Sequence, residues 1–155
     1  MATQRTTATR RSVRRMAGFT LVELMVVVVI ATVLLTIAIP AYNTSIRKSR
    51  RTEAKTTLLD IAGREERYYN TSSPPAYSAT PSDLGYGAGA FPMTVGSGYY
   101  QVTVAVTAAT ATTLPTYTIT AVPITPDQLK DTTCLTFTLN SAGTQGATTM
   151  PACWQ

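Results

Sequence analysis

The chain has no histidine among its 155 residues, which removes histidine-based triads, general bases and metal ligands together. Its two cysteines, Cys134 and Cys153, fall short of the four nitrogen or sulfur ligands of a structural zinc site. The acids after Glu66 are Asp83, Asp127 and Asp131. They form no catalytic constellation, and Asp127 and Asp131 read as two solvent-facing aspartates near one another across a turn. Gly85 to Gly89 lacks the Lys-Ser/Thr that completes a phosphate loop. Neither an enzyme, a cofactor nor a metal is expected. One acid is out of place: Glu23 lies in the stretch from Phe19 to Ile39, which is otherwise apolar apart from threonines. A carboxylate in hydrocarbon costs about 2.5 to 3.5 kcal/mol even on the lenient insertion scale, so it must be protonated, paired or close to the headgroups. If the chain is cut after Gly18, the new α-amino group of Phe19 is a cation one helical turn before Glu23, on the same face. The same two groups on neighbouring copies could pair and line the copies up with a fixed stagger. The residues alone leave a plain interfacial position for Glu23 equally open.

The elements that must position these groups follow from hydropathy and charge. From Phe19 to Ile39 the run is long enough, at about 1.5 Å per residue, to cross the roughly 30 Å hydrocarbon core of a bilayer as a helix. Arg5, Arg10, Arg11, Arg14 and Arg15 all precede it, with no acid among them. By the positive-inside tendency they hold that end in the cytoplasm and place everything after Pro40 on the outer side of the membrane. They also account for the formal charge of +5. The eight Lys and Arg that remain balance eight Asp and Glu. Three parts follow: a leader at 1–18, a long helix at 19–69 whose 19–39 portion spans the membrane, and a globular head at 70–155.

Past Pro40, which should kink or loosen the preceding turn, the helix is expected to continue to about Tyr69 and become amphipathic. Ile46, Ala54, Leu58, Ile61, Ala62, Glu65 and Tyr69 fall on or near one stripe, with Arg47, Lys48, Arg50, Arg51, Lys55, Arg64 and Arg67 elsewhere. The basic cluster from Arg47 to Lys55 has three readings: a solvated face or lipid-headgroup contact, pairing with acids of neighbouring copies such as Glu53, Asp60, Glu65 or Glu66, and direct DNA contact. Asn70 to Gly98 is rich in Ser, Pro, Gly, Ala and Tyr and reads as a long surface connection without helix or strand, in which Tyr77 and Tyr86 are interface anchors or packing lids. Three strands follow, marked by alternation at Tyr100 to Val106, Tyr117 to Ala121 and Leu135 to Leu139. An antiparallel meander with one apolar face needs the apolar stripe of the helix, so the fold class is α+β, a long helix packed on a small sheet.

The run Gly18-Phe19-Thr20-Leu21-Val22-Glu23-Leu24, with a basic leader before it and an apolar span after it, resembles the class III signal of type IV pilins and of the type II secretion pseudopilins. AIPAYNTSIRKSRRTEAKTTLLDIAGREERYY and the ending Cys153-Trp154 are similar to the PilE-type branch of the pilins. The resemblance implies that a prepilin peptidase and methyltransferase cuts between Gly18 and Phe19 and methylates Phe19. It implies that Glu23 meets the N-terminal amine of an adjacent subunit, and that the helix has a weak point at Pro40. Cys134 and Cys153, on the oxidising side of the membrane, are expected to close a disulfide loop like that at the pilin C-terminus. The implied partners are other pilin subunits and the inner-membrane assembly machinery. The implied location is the inner membrane before assembly and an extracellular pilus afterwards. Twitching, adhesion and DNA uptake are roles of the family, and major and minor subunits both remain open. The alternatives are a pseudopilin and a membrane-tethered binding module that never polymerises.

Overall fold

The structure is a computed structural model that describes residues 18–147 and 151–154. The arginines of the leader lie outside the described residues. The chain divides into two units, one up to Pro40 and the other from Ala41 onward. Helix α1, Leu21–Thr71, contributes to both.

In the first unit the helix has an N-terminal stop and an apolar body. Thr20 Oγ1 accepts the N–H of Glu23 at 3.2 Å, and Glu23 places an acid in the first turn. Both stabilise a helix start, the one by satisfying an orphan donor and the other by meeting the positive end of the macrodipole. Thr32 and Thr36 return their hydroxyls to the carbonyls of Val28 and Val33 at 2.8 and 2.6 Å, so neither leaves a polar group bare. Every large apolar side chain of this portion is exposed, from Phe19 at 81% to Ile39 at 55%. The segment is long and apolar enough to cross a membrane.

In the second unit α1 meets a five-stranded antiparallel sheet whose spatial order is its chain order. The strands are β1 (Met93–Val95), β2 (Tyr100–Thr107), β3 (Thr116–Pro123), β4 (Phe137–Asn140) and β5 (Gln145–Ala147). A short helix α2, Pro126–Leu129, joins β3 to β4, and a 3-10 turn at Pro151–Trp154 follows β5. Alternation puts Tyr100, Val102 and Val104, Tyr117, Ile119 and Ala121, and Phe137 and Leu139 on one face, where all are buried. They close on Ala54, Leu58 and Ile61 of α1. Each large side chain buried fully there contributes about 1.5 to 3 kcal/mol. The opposite face carries a cross-strand row in which Thr103 pairs with Thr120, Thr120 with Thr138, and Thr138 with Gly146.

Several expectations are corrected. The sheet has five strands rather than three, because β1 lies inside the stretch read as a connection and β5 inside the loop between the cysteines. Both are three-residue edge strands whose order comes from pairing with β2 and β4, not from their own alternation. The third strand begins at Phe137 rather than at Leu135, and α1 runs to Thr71. Asp131 is buried, not solvent-facing.

Candidate functional site

The groups that bear on processing and assembly start at the head of α1. Gly18, Phe19 and Glu23 are all exposed. Thr20 and Glu23 stand three residues apart, and the bond between them uses the Glu23 backbone N–H, leaving the Glu23 side chain exposed. The helix continues through Pro40. The disulfide joins Cys134 to Cys153 across 19 residues of sequence. In the chain-entropy model such a loop contributes about 3 kcal/mol. The bridge holds Trp154 edge-on against Phe137, with its Nε1 donating to the Gly146 carbonyl of β5 at 2.8 Å.

In the second unit, charged side chains of α1 each take hold of a different part of the head. Arg51 makes a two-pronged ion pair with buried Asp131, which also accepts from buried Gln128 at 3.1 Å. Gln128 in turn donates to the Tyr100 hydroxyl at 2.9 Å, and burial pushes that hydroxyl up to about 12. Glu53 accepts from the N–H and hydroxyl of Ser97 at 2.7 and 3.0 Å. The turn between β1 and β2 can come this close only because residue 96 is glycine: its φ is +58°, and a Cβ there would overlap the Glu53 carboxylate. Lys55 donates to the carbonyl of Cys153 at 3.2 Å, which ties the disulfide-bonded tail to the helix.

Farther along, Arg64 pairs with Asp60 at 2.9 Å, donates to the Leu84 carbonyl at 2.9 Å and lies over the Tyr86 ring. The Tyr86 hydroxyl bonds Asp60 as well and holds that carboxyl below its ordinary value. Glu65 is wholly buried. One of its oxygens accepts the N–H of Ser78 at 3.0 Å, and the other has no hydrogen-bond partner among the described residues. Burial pushes its carboxyl up to about 7 against the opposing Ser78 hydrogen bond, and the nearby Glu66 and Asp83 add to the rise. Glu65 is therefore withdrawn from the set of acids that a neighbouring copy could reach. Tyr77 stacks on Tyr69 at 4.9 Å and meets Tyr117 edge-on at 4.7 Å, so it packs the head, as half-buried Tyr86 does.

Charge is distributed with one sharp boundary. Seven of the eight cations after Gly18 are on α1 and the eighth is Lys130; between Leu84 and Pro126, and again from Thr132 onward, there is no charged side chain. The sheet presents threonine, glutamine and asparagine outward. Two cations meet at one place: Arg50 lies 3.5 Å over the Tyr99 ring and 3.9 Å from Asp127, and Lys130 reaches the same Asp127 at 3.8 Å. Arg47 and Lys48, one turn earlier on α1, are half-exposed and exposed. No group of three or more metal-binding side chains occurs among the described residues.

The comparisons agree with this arrangement. The model of the family described as type IV minor pilin ComP, DNA uptake sequence receptor, matches residues 40–138. The model described as the prokaryotic N-terminal methylation motif matches residues 13–39. No curated protein matches the chain. The long helix on a small antiparallel sheet, with its C-terminal disulfide, is the α+β pilin fold, and the motif, which takes in the exposed apolar stretch of α1, fits anchoring in the inner membrane before pilus assembly. With the first family spanning more than half of the sequence, the chain belongs to the ComP family of type IV minor pilins and is a pilus subunit.

Proposed function

We propose that the chain is cut between Gly18 and Phe19, methylated at Phe19 and polymerised as a minor pilus subunit, with a role that is structural and not catalytic. Residues 1–18 are then a removed leader, 19–39 the filament core and 70–155 the head. The new α-amino group pairs with Glu23 of an adjacent subunit, and Pro40 is the point at which the helix yields on packing. The disulfide Cys134–Cys153 keeps the head intact outside the cell. The observation that carries this is the apolar stretch of α1, exposed over its whole length and lying within the methylation motif. Such a surface requires lipid first and other helices afterwards, so assembly exchanges one apolar environment for another. Intact-mass spectrometry of sheared filaments and of membranes tests it. The expected filament species begins at methylated Phe19 and lies two hydrogens below its reduced mass. A species confined to membranes and still carrying residues before Phe19 would undo the proposal. Glu23→Ala separates assembly from anchoring, because membrane insertion should persist while filament incorporation is lost.

The description of the matched family favours a second reading, a receptor for DNA. Phosphate contacts dominate nucleic-acid affinity, and in this chain the cationic side chains that can supply them are those of α1 and Lys130, since the sheet carries none. Duplex DNA binding that weakens steeply with salt and survives threonine substitutions on the sheet supports it. An absence of binding at low salt removes it and leaves the pilus role untouched.

A further inference from the structure

Four basic residues fall within five positions of one another on α1, and they are the first cations after the apolar stretch: Arg47, Lys48, Arg50 and Arg51. Arg51 is spent on buried Asp131, and Arg50, its side chain 15% exposed, lies against Tyr99 and Asp127, whereas Lys48 is exposed and Arg47 half-exposed. The fold adds Lys130 from a distant part of the sequence through Asp127, which it shares with Arg50. With Asp127 and Asp131 counted, the five cations leave a net charge of +3, in a head whose sheet is uncharged. Glu53, one turn beyond Arg50, is turned to Ser97. Ahead of the group stands Tyr42, 67% exposed and two residues past Pro40.

From this juxtaposition we propose that Arg47, Lys48 and Lys130 form a docking surface for the phosphate headgroups of an anionic bilayer, engaged while the subunit is still anchored in the membrane. The inference rests on the anchoring and not on the DNA reading. A chain that leaves the hydrocarbon at Pro40 carries its next two or three helical turns through and just beyond the headgroup layer, where aromatic residues sit at the boundary and long basic side chains reach back to phosphate. Tyr42 and then Arg47 and Lys48 follow that order. Juxtamembrane basic clusters are drawn to anionic lipid by a field that fades within a Debye length, so the contact is reversible and does not hinder extraction. A duplex would need a positive surface that extends across the head, and beyond this group the sheet offers no cation.

The chain after Gly18 contains three lysines, Lys48, Lys55 and Lys130, which makes amine acetylation a direct footprint. The mature chain is placed in nanodiscs of zwitterionic lipid alone or with about a third of anionic phosphatidylglycerol, and each lysine's rate is read by mass spectrometry. Lys48 and Lys130 should react several-fold more slowly in the anionic discs at low salt and recover at high salt. Lys55, held by the carbonyl of Cys153, should not respond. Equal rates of Lys130 in the two bilayers, or slowing of Lys48 alone, overturn the surface. Slowing by added duplex DNA in zwitterionic discs, with no effect of anionic lipid, also overturns it and upholds the DNA reading. Slowing by anionic lipid with no effect of DNA upholds it and takes DNA off this face.

Discussion

The head half of α1 and the sheet it packs on are built from opposite materials. Past Pro40 the helix carries seven of the eight cations that follow Gly18, and from Leu84 to Pro126 and from Thr132 onward the chain has no charge. The sheet coheres through backbone pairing and apolar burial, to which charge contributes nothing. The helix adds directional ties, each reaching one place: Arg51 to Asp131, Glu53 to Ser97, Lys55 to Cys153, Arg64 to Leu84 and Glu65 to Ser78. Apolar burial holds sheet to helix without fixing the loops, whereas the polar ties fix where each connection lies. Perturbing charge should therefore act on the docking of segments, and perturbing the outer sheet face should act on almost nothing.

The sharpest way to break that contrast is Asp131→Ala. It leaves the Arg51 guanidinium without its partner in a part-buried setting and should cost about 3 to 5 kcal/mol by urea unfolding. Replacing both partners with apolar residues of similar volume should recover most of the loss. Next comes Glu65→Gln, whose effect depends on pH. The Glu65 carboxyl binds its proton more tightly in the folded chain, at about 7 against an ordinary 4.5. Its contribution is whole below pH 4.5, shrinks as pH rises and is gone above about 7. The Gln variant should thus match the parent near pH 4.5 and exceed it at pH 8 by about 3 kcal/mol, read as diverging melting temperatures. Glu53→Ala removes both bonds to Ser97 and should cost about 1 kcal/mol, with faster amide exchange confined to the turn at 96–98. Thr118→Ala, on the outer face of β3, should stay within about 0.5 kcal/mol and show no salt dependence. A large effect at Thr118 would break the comparison.

How much of this could be read beforehand follows from where the order originates. The apolar run, the amphipathic stripe and the three central strands announce themselves, because burial on one face imposes periodicity on the residues that are buried. Ala54, Leu58 and Ile61 and the alternation of Val102, Ile119 and Phe137 needed no partner to be recognised. Met93–Val95 and Gln145–Ala147 are too short to carry a period, and they are strands only because β2 and β4 offer them an edge. Asp131 reads as a surface acid because its partner, Arg51, lies 80 residues away in sequence. Glu65 sits on the apolar stripe in the sequence itself, and that placement was the available signal for a buried acid. The motif at Gly18 to Glu23 is legible because its spacing is local, whereas the meeting of Lys130 with Arg50 is made by the fold alone.

The sheet also lets strands join in the order in which they leave the membrane. Its spatial order is its order along the chain, and every pairing joins consecutive strands. A head that emerges from its Pro40 end onward, while the chain's own N-terminus stays inside, can therefore grow this sheet one hairpin at a time, each new strand finding its neighbour already in place, with little waiting exposed as an unpaired edge. The cysteines close that sequence, since Cys134 precedes β4 and Cys153 follows β5, so the last hairpin must be complete in length before its covalent seal can form. Vectorial delivery and oxidation thus act as successive checkpoints on the same small head.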